Sequence, residues 1–158
     1  MFRKMRRFKQ EISKEECIEI LKTEKRGVLS VIGDNDYPYA VPINFYYNDE
    51  DGKIYLHGAK EGHKIDSIKS CNKVCFTVWN NGFQKENDWA YYVTSVIIFG
   101  KAEFINDPDI VYREIKKLGL KYAPTEEEIE EEIKMHIHRV QILAINIEHM
   151  TGKLVHEK

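Results

Sequence analysis

Apolar and polar residues alternate along several stretches of the chain, and this pattern predicts six strands. The clearest case is the alternation that places Val74, Phe76 and Val78 on one face of an extended chain. The predicted strands cover residues 28–32, 39–47, 54–57, 73–79, 91–105 and 140–147. The polar residues 80–88 predict a mobile loop, and residues 151–153 predict a turn after the last strand.

Four other stretches have the 3.6-residue period of helices. The first begins with a capping box, in which the side chains of Ser13 and Glu16 each accept from the other's backbone N–H. The predicted helices begin after Ser13, Gly62, Asp107 and Thr125. Strands joined by hairpins, with helices over the openings, predict one mainly β domain over residues 1–158, built as a six-stranded antiparallel barrel.

Length and charge exclude several classes of function. The 158 residues are enough for one domain with its own core. A net charge of −2 gives no overall positive field, so we expect no nucleic-acid partner. No apolar run approaches the roughly 20 residues that a membrane helix needs, and the start of the chain lacks the apolar segment of a secretory signal. We therefore expect a cytoplasmic protein with no membrane partner.

The cysteines form no recognisable metal or disulfide pattern. There are three, Cys17, Cys71 and Cys75, and an odd number argues against a disulfide framework. No C-x-x-C pair is present, and a zinc site would need further ligands that no spacing supplies. We expect free thiols and no metal site.

The first ten residues are basic, with five lysines and arginines and no acid. Charge runs of this kind are usually solvated, so we expect a solvated arm. The alternative is an arm that lies over an anionic ligand or a partner subunit.

The stretch from Ile54 to Ile68 carries the strongest chemical signal. A strand ends at Gly58, and a short helix begins after Gly62. The unpaired backbone N–H groups of a helix start favour an anion. His63 and Lys64 add side-chain donors there, and His57 points toward the same end of the strand. This unit predicts a phosphate site, and the alternative is a surface loop with solvated cations.

Pro42 interrupts the second predicted strand. Proline cannot donate to a strand ladder, so this strand is expected to be edge-like or bulged, with backbone groups free to pair with a ligand. A planar, aromatic, phosphorylated ligand would suit such a strand beside a phosphate site. Flavin mononucleotide (FMN) is one such ligand, and the residues alone leave pyridoxal phosphate or another nucleotide open.

Several segments in series resemble the Nim-type proteins, the 5-nitroimidazole-resistance branch of the pyridoxamine-5′-phosphate-oxidase-like family of flavin-binding split barrels. The most specific are the proline-containing strand, the His-Gly-Ala…Gly-His-Lys unit and the Ser-Val-Ile-Ile-Phe-Gly strand. The similar segments are residues 1–7, 27–31, 37–42, 54–66 and 95–102. Residues 106–158 match mainly in their pattern.

This resemblance implies a split β-barrel homodimer with FMN at the subunit interface, and FAD is the alternative cofactor. His63 would be the catalytic residue near the cofactor or substrate. The implied cofactor-binding residues are Val41, Pro42, Ile43 and Asn44 along the isoalloxazine ring, His57, Ala59 and Lys64 at the phosphate, and Ser95 and Val96 near the ring. The apolar side chains expected at the dimer interface are Tyr91, Tyr92, Ile97 and Phe99.

The implied chemistry is the reduction of a small aromatic nitro compound, with the flavin carrying the electrons. No G-x-G-x-x-G motif is present, so a nicotinamide donor would bind without one. One alternative is a non-catalytic flavin- or haem-binding module, in which His57 or His63 would be an axial ligand. Another is a structural domain without a cofactor.

Overall fold

The computed structural model describes residues 1–123 and 125–157, and within them the fold is mainly β with seven antiparallel strands. The strands are β1 (Arg26–Ile32), β2 (Pro38–Asn48), β3 (Lys53–Ala59), β4 (Lys73–Trp79), β5 (Phe83–Gln84), β6 (Tyr91–Ile105) and β7 (Val140–His156). They follow the order β4-β1-β2-β3-β7-β6-β5, and an additional pairing between β4 and β6 closes a ring.

The strand count of six is therefore wrong. The stretch predicted as a mobile loop contains β5, which pairs with the start of β6 and is supported by stacking of Phe83 on Tyr92, with ring centroids 5.2 Å apart. The turn predicted over residues 151–153 is also wrong, because β7 continues through Gly152 to pair with the full length of β6. The pairing of β6 with β7 has a register shift between Phe99 and Gly100.

Four helices accompany the sheet, and three begin with the predicted caps. Ser13 and Glu16 form the complete capping box. Asp107 accepts hydrogen bonds from two backbone N–H groups, and Thr125 accepts one from Glu128. The helices are α1 (Lys14–Thr23), α2 (His63–Ser70), α3 (Pro108–Leu120) and α4 (Glu126–His136). None of the described helices is long and apolar enough to cross a membrane.

A split between β2 and β3 is the feature that matters most for the site. The first part of β2, up to Asn44, pairs with β1, whereas pairing of β2 with β3 begins only at Phe45, opposite Leu56. β3 pairs with β7 from Ile54 to Ala59, so beyond Leu56 its pairing within the described residues is with β7 alone. One edge of β2 around Pro42 therefore faces no strand, as the proline predicts.

Two clusters of buried side chains form the core. The larger lies inside the ring, where Phe45 and Phe76 pack edge to face with centroids 5.1 Å apart. The smaller lies between the outer face of the sheet and α3, and it includes Tyr55, Ile142 and Ala144. Because α3 packs against this second cluster, it covers the sheet beside the split.

The basic residues of the N-terminal arm are exposed, as expected for a solvated arm. Its Phe2 ring is attached to the sheet, however, since it stacks on His149 with centroids 4.6 Å apart and on Phe99 with centroids 5.7 Å apart. An apolar contact, which a charge pattern does not reveal, thus places the start of the arm over the outer face of β6 and β7.

Candidate functional site

The split between β2 and β3 opens into a cleft of about 310 Å³. Six of the nine predicted cofactor-binding residues line it together with one that was not predicted, Arg26. The six are Val41, Pro42, Ile43, Asn44, His57 and Lys64. Residues from two diverging strands and from the first turn of α2 thus meet in one place.

One wall of the cleft is the free edge of β2. Because residues 38–44 pair with β1 alone, the backbone N–H and C=O groups on their other edge have no strand partner. Such groups are obligatory hydrogen-bonding sites. A planar ligand with donors and acceptors along its rim could therefore occupy the position of the missing strand.

Lys64 lies at the opposite wall, half-buried in the first turn of α2. Burial lowers the pKa of its ammonium group, and within the described residues this group has no ion pair and no hydrogen bond. A half-buried cation without a counter-ion is unfavourable in the empty protein. An anionic ligand would supply what this ammonium group lacks.

Gly58 makes room for this ammonium group. A Cβ atom built on Gly58 would lie 2.7 Å from Nζ of Lys64, so any larger residue would displace the lysine. The start of α2 adds backbone donors, because Gly62 offers no side chain to cap them. Lysine, glycine and helix start together form a cradle that fits a phosphate group.

His57 is the second basic group of the cleft. Burial lowers its pKa, and the nearby ammonium group of Lys64 lowers it further. Arg26 adds a third basic side chain, and no carboxylate lines the cleft. Arg26 could have been found from the sequence only through the hairpin register, which places it opposite Asn44.

His63 has contacts on the other side of α2 and does not line the cleft. Its Nε2 accepts a hydrogen bond from the backbone N–H of Asp34 at 3.3 Å, and its ring stacks on Tyr39 with centroids 4.2 Å apart. The imidazole therefore holds the turn between β1 and β2 against α2. Its catalytic role stays a prediction.

The remaining predicted residues also lie outside the cleft lining. Ala59 is exposed at the end of β3, opposite Val140 of β7. Val96 of β6 is fully buried inside the ring. Its neighbour Ser95, also on β6, pairs with Trp79 of β4. Their roles in cofactor binding stay predictions.

The described residues contain no group of three or more histidine, cysteine or acidic side chains arranged to hold a metal ion. All three cysteines are free. Burial raises the pKa of Cys17 to about 11, so this thiol stays protonated near neutral pH.

The family profile described as pyridoxamine 5′-phosphate oxidase matches residues 13–154. No curated protein matches the chain.

Solved structures with the same fold include a candidate 5-nitroimidazole antibiotic resistance protein from Bacteroides thetaiotaomicron, with 24% identity, a TM-score of 0.74 and coverage of 91% of this chain and 86% of that one. A FAD-binding protein from Mesorhizobium loti shows 21% identity and a TM-score of 0.64, covering 92% and 96%. A FAD- and haem-binding protein from Mycobacterium smegmatis shows 18% identity and a TM-score of 0.73, covering 92% and 73%.

These similarities support the fold, and the profile covers nearly the whole chain. The ring of strands with an open split between β2 and β3 agrees with the split-barrel architecture implied by the sequence. The chain therefore belongs to the pyridoxamine 5′-phosphate oxidase family.

Proposed function

We propose that the protein binds FMN in the cleft between β2 and β3 and acts as a flavin-dependent reductase of small nitroaromatic compounds. The observation that carries this proposal is the half-buried, unpaired ammonium group of Lys64 behind Gly58. A buried cation kept without a protein counter-ion is costly to folding, which makes it a good marker of an anion site.

In this proposal Lys64, His57 and the first backbone N–H groups of α2 hold the phosphate of the cofactor. A charge-assisted hydrogen bond from a lysine is among the stronger polar contacts in proteins. Ala59 lies at the exposed end of β3, between His57 and α2 along the chain, and in this proposal it stands beside the phosphate.

The free edge of β2 from Val41 to Asn44 holds the flavin ring. Its unpaired backbone groups would bind the polar rim of the ring, and Pro42 keeps another strand from pairing there. Bound flavin supplies the redox chemistry, carrying electrons from a soluble donor such as reduced nicotinamide to the nitro group. The residues of this chain position the ring and reduce its contact with water.

The proposed assembly is a homodimer with the flavin at the subunit interface. It is supported by the apolar outer face of β6 and β4, where Trp79 is 50% exposed, Phe99 41% and Ile97 37%. A second copy would also account for Ser95, which is half-buried and lies away from the cleft of its own chain.

Two solved structures support the chemistry by analogy. The Mesorhizobium loti protein binds FAD, and the Bacteroides thetaiotaomicron protein is a candidate for nitroimidazole resistance. The Mycobacterium smegmatis protein binds both FAD and haem, so a carrier of flavin or haem is the second candidate. The absorption spectrum of the purified protein separates them, because flavin gives two bands in the blue and near ultraviolet and haem gives a strong Soret band.

The deciding experiment compares FMN with riboflavin, which lacks the phosphate. We expect Lys64→Ala to weaken the binding of FMN by about 1.5–3 kcal/mol, or roughly 10- to 150-fold in Kd, and to leave the Kd for riboflavin nearly unchanged. Lys69→Ala is the matched control, since Lys69 is exposed on the same helix and does not line the cleft. Equal losses for the two ligands in a fluorescence titration would mean that Lys64 does not bind phosphate.

A further inference from the structure

A second cavity, of about 370 Å³, lies directly beside the flavin cleft. It is enclosed by α3, α4 and the start of β7, and it shares two residues, Asn44 and His57, with the cleft. Its apolar lining includes Ile115, Leu118, Ile129, Ile133, Ile137 and Val140. Protein interiors have few voids larger than a water molecule, whereas pockets for small molecules span roughly 300–1,000 Å³.

Fixed contacts hold this cavity open. On the outer side, Lys116 forms ion pairs with Glu126 at 2.5 Å and with Glu130 at 2.7 Å, which tie α3 to α4. At their near ends the two helices touch, since a Cβ on Gly119 would collide with Ile129. The helices are therefore joined at these points, and the space beneath them is preformed.

A polar boundary separates the cavity from the cleft. The side chains of Asn44 and His57 are both half-buried, and neither has a hydrogen-bond partner in the described part of the chain. Because burial lowers the pKa of His57, its imidazole is neutral near neutral pH and can either donate or accept a hydrogen bond. A substituent of a bound ring could bind the Asn44 side chain and the imidazole nitrogen of His57 that does not face the phosphate of the cofactor.

The acidic residues of α4 disfavour an anion in this cavity. Six of the eleven residues of α4 are glutamates, and Glu132 itself lines the cavity beside His136. An acidic helix that lines the cavity raises the energy of a negatively charged ligand there. The apolar lining disfavours any charge further inside.

We infer that this cavity is the substrate pocket and that it takes a compact, uncharged aromatic ring whose polar substituent faces Asn44 and His57. The inference rests on the proposed flavin site, because the shared residues place the substituent next to the cofactor cleft. The helix pair α3–α4 then determines which substrates the protein accepts.

The test measures binding without any flavin. 4-Fluoronitrobenzene is titrated with the flavin-free protein and followed by ¹⁹F NMR line width, with 4-fluorobenzoate as the anionic probe. We expect the neutral probe to bind, and Ala123→Trp, which fills the cavity from its lining, to weaken it at least tenfold. Leu120→Trp is the control, since Leu120 is 44% exposed and lies outside the cavity lining.

A second filling variant, Ile137→Trp, covers the case in which Ala123→Trp does not fold. Unchanged probe binding in a folded filling variant would overturn the inference, and so would tighter binding of the benzoate. Failure of the flavin proposal is seen separately, as a wild-type protein that binds the probe but not FMN. In flavin-loaded protein, the filling variants should raise KM for the nitro compound while the Kd for FMN stays unchanged.

Discussion

Two half-buried basic side chains dominate the cleft, and the fold disfavours the charged form of each. Lys64 and His57 each have a pKa lowered mainly by burial. A lowered pKa of a basic group means that the fold disfavours its charged form. A binding site for an anion explains why such groups stand next to each other without a carboxylate partner.

His57 predicts how stability depends on pH. Its pKa in the folded state lies below the unfolded value of 6.5, so the unfolded chain binds more protons as the pH falls below 6.5. Well above pH 6.5 the imidazole is neutral in both states and carries no such cost. We therefore expect the free energy of unfolding of the flavin-free protein to fall between about pH 7 and about pH 5, with His57 contributing at most about 1.4 kcal/mol per pH unit.

Urea unfolding at the two pH values measures this contribution. His57→Gln should reduce the fall, and the exposed His138→Gln should leave it as in the wild type. An identical pH dependence in wild type and His57→Gln would show that burial does not affect this imidazole as described.

His63 differs from His57 in what it contacts. Because it holds the β1–β2 turn through Asp34 and Tyr39, His63→Ala should lower the free energy of unfolding by about 0.5–1.5 kcal/mol, the value of a typical hydrogen bond. With saturating flavin, a change in nitroreduction of less than about twofold would indicate that His63 has this structural role alone. Melting curves and turnover are measured on the same preparation. A large loss of turnover without a loss of stability would instead support the catalytic role predicted from the sequence.

At the scale of elements, one tyrosine attaches the end of α3 to the barrel. The hydroxyl of Tyr122 accepts from the backbone N–H of Phe45 at 2.9 Å and lies within hydrogen-bond distance of the carbonyl oxygens of Phe45 and Lys25. Beside it, Lys121 donates to two carbonyl groups at the end of α1, from Leu21 and Glu24. These contacts fix the helix pair where β2 leaves the split.

Tyr122→Phe tests this attachment. It leaves the N–H of Phe45 without its partner, so we expect a loss of about 1–3 kcal/mol in unfolding free energy. Tyr112→Phe is the control on the same helix. The Tyr112 hydroxyl donates an exposed hydrogen bond to Glu130, so this substitution should lower the free energy of unfolding by less than about 0.5 kcal/mol. Equal effects of the two substitutions in urea unfolding would argue against a structural role for Tyr122.

Most elements could be predicted because their signals are local. Caps at Ser13, Asp107 and Thr125 and the period of two along β4 depend on neighbouring residues alone. The predictions were wrong where pairing with a distant strand determines whether a segment is extended. Residues 83–84 become a strand only because β6 is adjacent, and β7 passes through Gly152 because β6 supplies partners along its whole length.

At the scale of the whole molecule, the exposed apolar face of β6 supports the proposed dimer. Tyr92, one of the four expected interface residues, is covered within the chain by stacking on His156, with centroids 4.5 Å apart. Tyr91, Ile97 and Phe99 remain 44%, 37% and 41% exposed. A patch with several large apolar side chains usually marks an interface.

We expect light scattering to show a dimer at micromolar concentration. Ile97→Lys should shift the equilibrium toward the monomer and weaken the binding of FMN. Leu120→Lys places the same charge on an exposed leucine of α3 and should leave the dimer intact. A wild-type monomer that still binds FMN tightly would refute both the dimer and the interface position of the flavin.

The sequence by itself determined the mainly β fold, the helix starts and a set of residues that includes six members of the cleft. The fold and the helix starts depend on short-range rules, namely strand period, caps, the missing N–H of Pro42 and the helix start after Gly62, whereas the set of cofactor-binding residues was implied by the resemblance to the flavin-binding family. The tertiary structure alone decided which residues meet. It brought Arg26 into the cleft, turned His63 toward Asp34 and opened an apolar cavity under α3 and α4. The reason is physical, because strand divergence and helix docking arise from contacts between residues far apart in the chain, which no local pattern encodes.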